Sequence, residues 1–438
     1  MSTRTLSICI GDNGLPVGTL RFDAQGNREF SQFEYADSWL RHSRRFAIAP
    51  SMPLSGGPFF FKKQGGGSPL PPPIADTTPD TWGRNIIRRD TRERRANRAP
   101  LTELDYLLAV DDHSRMGALR IREPETDAPF LASAAGGRHD VPPLLHLDEL
   151  GQAIAQIEQE SPGMAAALRR LRQIGSSLGG ARPKCSVVDT DGSLLIAKFT
   201  SRHDTYSVEQ AEVLTLTLAA RCSIKVPRAR LAVSDGLPVA LIPRFDRRPN
   251  GRVPYISAQT MLETADADSG TYTQLADAIR MHSAKPSADL TELFKRVAFT
   301  ILVSNVDDHL KNHGFLYAGD NLWRLSPMFD VNPAPERHRE LKTHISEISG
   351  SDASCDVLIE HAPFFDLTED EGAAIVHATA TEVSQSWRPI AESLGMTRAD
   401  IAAYQPAFDH PEMQKARAMT PRSSDHDRID EPDAPMGP

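Results

Sequence analysis

The stretch NVDDHLKNHGFLY, residues 305–317, gathers two aspartates, two histidines, a lysine and two asparagines directly behind an apolar run. Side chains of these types bind metals or move protons. A phosphoryl-transfer loop needs an aspartate to take the proton of an acceptor hydroxyl and, five residues on, an asparagine to hold Mg²⁺. Asp307 and Asn312 have that spacing. Asp308 is four residues from Asn312 and fits less well, which makes Asp307 the candidate base. Lys311 lies between them, where its charge would neutralise a transferring γ-phosphoryl group. His309 beside two aspartates looks like a metal ligand. One tight loop with no nearby cysteine is a poor zinc or iron site, however, whereas Mg²⁺ prefers carboxylate, amide and phosphate oxygens. His309 is expected to brace the loop or contact nucleotide.

Three other stretches carry compatible chemistry. LLIAKF places Lys198 alone in an apolar run, where an unpaired ammonium is costly. ATP phosphates and a carboxylate on the next helix would pair it. Glu212 and Glu209 are the candidates, Glu212 the better because it borders the apolar face. LSPMFDVNP places Asp330 at the end of a strand-like segment, eighteen residues after Asn312, where a second Mg²⁺ carboxylate is expected. Val331 and Asn332 follow it instead of a glycine, which puts a flexible switch there in doubt. The Gly-rich turn SLGGARPKC, residues 177–185, precedes a strand, so its amides can approach triphosphate oxygens with no Cβ in the way. Lys184 adds a charge that need be no more than solvent-facing. Each piece alone has a structural reading: a plain turn, an edge lysine snorkelling to water, an aspartate capping a turn. Their joint presence in this order is what points to ATP-dependent phosphoryl transfer.

The elements that must position these residues follow from periodicity. LSICIGDNGLPVGTLRFDAQGNREFSQF alternates around two turn signals and predicts hairpin strands. Gly and Pro are dense from Pro50 to Pro79, which predicts a long loop. Helical patterning follows in TPDTWGRNIIRRDTRERR, TELDYLLAVDDHS, LDELGQAIAQIEQE and GMAAALRRLRQIG. CSVVDTDGSLLIAKF predicts a hairpin through Asp191-Gly192, SVEQAEVLTLTLAARC a helix, and VPRARLAVSDGLPVALIPRFDRR two strands around Asp235-Gly236. From Gln259 onward the pattern is mostly helical, with LTELFKRVAFTILVSNV the most buried candidate. The charged, Pro-rich end predicts disorder.

With 438 residues, 40% of them hydrophobic and 24% charged, the chain is long enough for two or three lobes with proper cores. A net charge of -9 argues against independent nucleic-acid binding, although residues 83–98 form a local basic stretch. The four cysteines are far apart with no CxxC pair, so neither a zinc site nor a disulfide framework is expected. The N-terminus lacks the apolar length of a signal peptide and no run reaches a membrane span, which predicts a cytoplasmic protein away from membranes.

The stretches SSLGGARPK, LLIAKF, LIPRFDR, SNVDDHLKNHGFLY and LSPMFDVNP resemble the HipA family of serine/threonine kinase toxins of type II toxin-antitoxin modules. Less specifically, VGTLRFD and PDTWGRNII through MGALRI resemble that family's N-terminal lobe. The resemblance implies Asp307 as the catalytic aspartate, Asn312 and Asp330 as Mg²⁺ ligands and Lys198 as the ATP lysine. It places His309, Lys311 and Phe329 beside nucleotide, and Gly179, Gly180, Ala181, Arg182, Pro183 and Lys184 in the phosphate-binding loop. Pro243, Arg244 and Phe245 fall on the hinge whose backbone meets adenine, with Pro243 lacking a donor. Ser177 falls where the family is autophosphorylated, with Ser176 adjacent; a phosphate there would repel ATP or eject the loop. The resemblance further implies ATP and Mg²⁺ as cofactors and a protein substrate such as an aminoacyl-tRNA synthetase or another translation factor. It implies a small HipB-like DNA-binding antitoxin, with operator DNA bound only through the antitoxin complex.

The expected fold is α+β and two-lobed, protein-kinase-like. Residues 1–125 form an N-terminal subdomain, 145–255 the nucleotide-binding part, 256–410 a larger all-helical C-terminal lobe, and 411–438 a disordered tail. Rival functions are a regulatory pseudokinase, a small-molecule kinase of the same fold, and a metal-dependent hydrolase using the Asp/His cluster. A pseudokinase predicts loss of Lys198, Asp307, Asn312 or Asp330, and all four are present.

Overall fold

A computed structural model of the chain describes residues 2–26, 28–63, 67–94, 100–125, 128–132, 141–161, 163–174, 181–249, 251–336 and 339–420. The N-terminal subdomain is built on β1 (Ser2–Ile10), β2 (Leu15–Gln25) and β3 (Arg28–Tyr35), followed by α1 (Asp37–Leu40) and β4 (Phe59–Lys62). Then come α2 (Pro72–Ala75), α3 (Thr81–Arg94), α4 (Glu103–Ala109) and β5 (Leu119–Arg122). The strands form one antiparallel sheet in the order β4-β3-β2-β1-β5. Alternation in β2 turns Leu20 and Phe22 inward, as a half-buried sheet requires, and Val17 is also buried beside the bulge where the β1–β2 register shifts. The stretch from Pro50 to Pro79, expected as a loop throughout, contains β4 and α2. In β4 the run FFFK pairs with β3 at the sheet edge, which leaves Phe60 74% exposed. A four-residue edge strand among Gly and Pro has too little periodicity to read.

The next part opens with α5 (Leu147–Glu158) and α6 (Met164–Ile174), then β6 (Lys184–Val188), β7 (Leu194–Phe199), α7 (Val208–Arg221), β8 (Arg230–Ser234) and β9 (Leu237–Pro243). These strands form a four-stranded antiparallel sheet ordered β6-β7-β9-β8. The predicted turns do their work through positive φ: Gly192 at 84° joins β6 to β7, and Asp235 and Gly236 at 48° and 79° join β8 to β9. Apolar faces of α5, α6 and this sheet form their own cluster, joined by Ile86 of α3.

The C-terminal lobe follows a small ribbon, β10 (Arg247–Arg248) with β11 (Gly251–Arg252), and β12 (Tyr255–Ser257). It contains α8 (Ala258–Leu262), α9 (Tyr272–His282), α10 (Pro286–Leu302), β13 (Gly314–Gly319) and β14 (Leu322–Leu325). It ends in α11 (Cys355–Glu360), α12 (Glu369–Ser393), α13 (Arg398–Phe408) and α14 (Pro411–Ala418). The lobe read as all-helical thus also carries a small sheet, β12-β13-β14, whose strands of three to six residues are too short to stand out by pattern. Residues 411–418, assigned to the tail, are helical: Pro411 takes the first position, His410 caps it, and Met413 and Ala416 are buried. Residues 421–438 lie outside the described residues. As expected, α10 is buried on most of its circumference, so the loop after it starts from a fixed point.

Candidate active site

Strand β7 delivers Lys198 to an interior position, 7% exposed. Helix α7 presents Glu212 to it at 2.6 Å, and Asp330 approaches from the other lobe at 2.7 Å. Burial opposes the ammonium's charge, but Asp330 and Glu212 outweigh it and raise the pKa, so Lys198 stays protonated. Glu209, the other candidate partner, is taken by Arg182 and Thr200. Asp330 has φ of 56°, a left-handed conformation that aspartate tolerates better than most residues. Its loop is pinned on both sides. The Thr215 hydroxyl of α7 donates to the Val331 carbonyl at 2.6 Å, and the Asn332 amide donates to Asn305 Oδ1 at 3.0 Å. Burial raises the Asp330 pKa, but Lys198 and Lys184 overcome that and hold the carboxyl well below the usual range.

The loop after α10 gives its two aspartates opposite environments. Asp308 is buried and accepts from the Tyr272 hydroxyl at 2.5 Å, from Thr300 at 3.4 Å, and faces His313 Nε2 at 3.1 Å. Burial pushes its pKa up, but His313 and these hydrogen bonds pull it below the carboxylate norm. Asp307 has a side chain 71% exposed at the cleft, with Oδ1 2.5 Å from the Lys342 ammonium. Asn312 donates to the Asp307 carbonyl at 3.2 Å, which fixes the loop's two ends together.

Between the lobes lies a cleft of about 450 Å³. Lys198, Asp330, Asp307, Asn312, His309 and Lys311 all border it. Phe245 and Phe329 meet with ring centroids 5.3 Å apart, and with Ile196 and Ile242 give one end an apolar lining suited to a planar base. Pro243 borders the same end. Arg244 also borders the cleft, but its guanidinium is bound to Asp246 and to the Ser114 carbonyl, and its amide donates to Leu194. Both groups are therefore engaged within the protein rather than offered to the cleft. In the segment expected to meet phosphate, Ala181 and Lys184 border the cleft, whereas Arg182 turns away to Asp204 and Glu209 and Pro183 does not line it. Lys184 is not solvent-facing: its side chain is 2% exposed and lies 3.1 Å from Asp80. Gly179, Gly180, Ser177 and Ser176 lie outside the described residues.

The donor set suits a hard divalent cation. Asp330 supplies an ionised carboxylate and Asn312 an amide oxygen, the ligand types Mg²⁺ accepts. His309 Nδ1 is buried without a hydrogen-bond partner, a polar atom at the cleft wall still to be satisfied. Among the described residues no group of three His, Cys, Asp or Glu side chains is placed to hold a metal ion. Nor is any helix among them long and apolar enough to cross a membrane.

Residues 176–400 match the HipA-like C-terminal domain, and residues 9–122 match the HipA N-terminal domain. The chain belongs to the HipA family. This HipA-type chain is 25% identical over 354 residues to a Sinorhizobium fredii protein named "Putative kinase Y4mE", spanning 76% of this chain and 77% of that one. A second protein of that organism, "Putative kinase Y4dM", is 29% identical over 156 residues, 32% of this chain and 37% of the relative. The fold resembles HipA of Shewanella oneidensis MR-1, solved with HipB and operator DNA, with a TM-score of 0.68 at 14% identity. That likeness covers 95% of this chain and all of the other, so the HipA fold extends through both lobes.

Several cleft residues escaped the sequence reading: Asp76, Asp80, Met116, Tyr255 and Lys342. Asp80 did carry a signal, since an aspartate in the first residues of the helical stretch TPDTWGRNIIRRDTRERR is suited to an N-terminal cap, but that signal indicates a cap and not a cleft residue. Asp80 is one, accepting from the Gly83 amide at 2.6 Å. Nothing in the sequence brings residues 76–84 to a cleft built from residues 181–342.

Proposed function

We propose that the chain is an ATP- and Mg²⁺-dependent serine/threonine protein kinase that acts as the toxin of a type II toxin-antitoxin module. One observation carries this reading. A buried lysine is held between a helix glutamate and an aspartate of the opposite lobe, in a cleft that also presents an exposed aspartate and an asparagine five residues apart. Lys198 would meet the α and β phosphates, its charge secured by Glu212. Asn312 and Asp330 would hold Mg²⁺, which when bound offsets the charge of the phosphate oxygens. Asp307 would orient the acceptor hydroxyl and take its proton as its oxygen forms a bond to the γ-phosphorus and the bond from that phosphorus to the β–γ bridging oxygen breaks. Lys342, ion-paired with Asp307, and Lys311 keep positive charge beside the transferring group.

The acceptor is read as a serine or threonine of a translation-related protein, and Ser177 as the site of self-modification. The HipA–HipB–operator DNA assembly of the Shewanella relative supports a small DNA-binding antitoxin as partner, with DNA reached through it.

The test is intact-mass and peptide mass spectrometry after incubation with Mg²⁺ and ATP, beside Asp307→Ala. Phosphate gained by the wild type alone, on Ser177 or its neighbour, is the expected result. If neither protein is modified while both bind ATP, the catalytic assignment falls and a regulatory nucleotide-binding role replaces it.

A further inference from the structure

Lys184 and Lys198 stand directly opposite each other in the antiparallel β6–β7 pair, so both side chains leave the same face of the sheet. Like charges so placed repel, and burial at 3% and 7% exposure strengthens the repulsion. Lys198 is answered by Glu212 and Asp330. The carboxylate facing Lys184 comes instead from the N-terminal subdomain: Asp80, whose Oδ2 lies 3.1 Å away. Its other oxygen accepts from the Gly83 amide and so is anchored to the first turn of α3. Four residues earlier, Asp76 accepts from both the amide and the hydroxyl of Ser257, each at 2.7 Å, which clamps the segment onto the C-terminal lobe. Residues 76–84 therefore form a wall of the cleft, held at one end by Ser257 and presenting a fixed carboxylate at the other.

We infer that Asp80 is a positioning residue of the nucleotide site: it holds the Lys184 ammonium in the cleft for phosphate oxygens, making the N-terminal subdomain part of the nucleotide-binding machinery. This rests on the kinase reading above. Without that carboxylate, the ammonium keeps Asp330 and Glu212 within electrostatic reach but loses the partner 3.1 Å away, so it is held less firmly at the cleft and more readily gives up its proton. The groups acting on Asp80 are Lys184 from β6, the Gly83 amide and Arg84 from α3, and Asp330 from the loop after β14. Burial outweighs Lys184 and pushes the Asp80 pKa up to about 6, so acidification discharges the carboxylate and breaks the pair.

Equilibrium binding of Mg²⁺·ATP to the full chain, measured from pH 5.5 to 7.5, tests this with Asp80→Asn, Asp80→Glu, Lys184→Gln and the Asp80→Asn/Lys184→Gln double variant. Asp80→Asn is expected to weaken binding about tenfold at pH 7.5 and to flatten the wild type's loss of affinity in acid. Asp80→Glu should restore most of the affinity, and the double variant should bind no worse than Lys184→Gln alone. Wild-type affinity and pH profile in Asp80→Asn, or additive losses in the double variant, overturn the inference. Should Asp80→Asn not fold, an acid loss of affinity shared by wild type and Lys184→Gln overturns it equally. Failure of the wild type to bind Mg²⁺·ATP is a separate outcome that removes the kinase reading and this inference together.

Discussion

Asp307 and Asp308 are the same side chain one position apart, and burial alone separates their roles. Asp308 sits at the centre of a buried set with Tyr272, Thr300 and His313, so its carboxylate is structural. Removing it strands a buried imidazole and hydroxyl, a change that costs about 3 kcal/mol when a buried partner is lost. Asp308→Ala should therefore lower the urea midpoint strongly, while Asp307→Ala leaves that midpoint near the wild type and removes phosphoryl transfer. A stable Asp308→Ala with lost chemistry would reverse the two assignments.

At the scale of elements, the small β12-β13-β14 sheet sets the cleft's floor through a glycine. Gly314 begins β13, and a Cβ there would lie 2.3 Å from the Tyr255 ring of the paired strand. Tyr255 is buried, borders the cleft and faces Phe245 at 6.1 Å between centroids. Gly314→Ala must displace a strand or that ring, and overpacking of this kind costs about 1–3 kcal/mol. Thermal denaturation should register that loss, and Mg²⁺·ATP titration should register weaker binding because the ring moves into the cleft. An unchanged melting temperature would mean the two strands part easily here.

Across the whole molecule, α14, the last helix among the described residues, is tied to the end of α10, from which the Asp307 loop departs. His410 caps α14 by accepting from the Met413 amide, while its Nε2 lies 3.0 Å from the Leu302 carbonyl at the end of α10. Nearby, the Ser304 hydroxyl donates to the Ala407 carbonyl. Burial, helped by Arg339, lowers the His410 pKa from 6.5 to about 4, so the fold holds the neutral ring. A histidine depressed in this way favours the folded state above its unfolded pKa, and that contribution is lost as pH falls from 6.5 through about 4. The loss amounts to about 3 kcal/mol. Asp80, with its raised pKa, acts in the opposite sense and offsets part of it. Urea unfolding of the wild type should weaken across this window, and His410→Asn should weaken less; equal slopes would remove His410 from the account.

Local pattern and chemistry determined much of this protein from sequence alone. Lys198, Glu212, Asp307, Asn312 and Asp330 were legible because a charge in an apolar strand, a carboxylate beside an apolar helix face and a five-residue spacing are local facts. The hairpins were legible because their turns demand particular residues. Short strands such as β4 and β12 were not, since three or four residues carry no usable period. Tertiary structure alone decided that Asp330 reaches Lys198 from the opposite lobe, which aspartate of the pair is buried, and that the Arg182 and Arg244 guanidiniums are engaged by Asp204, Glu209 and Asp246. It alone carried Asp76 and Asp80 into a cleft whose lysines, asparagine and other aspartates lie more than a hundred positions downstream. Sequence reports what a residue can do, but the neighbour that completes a charge is chosen by packing.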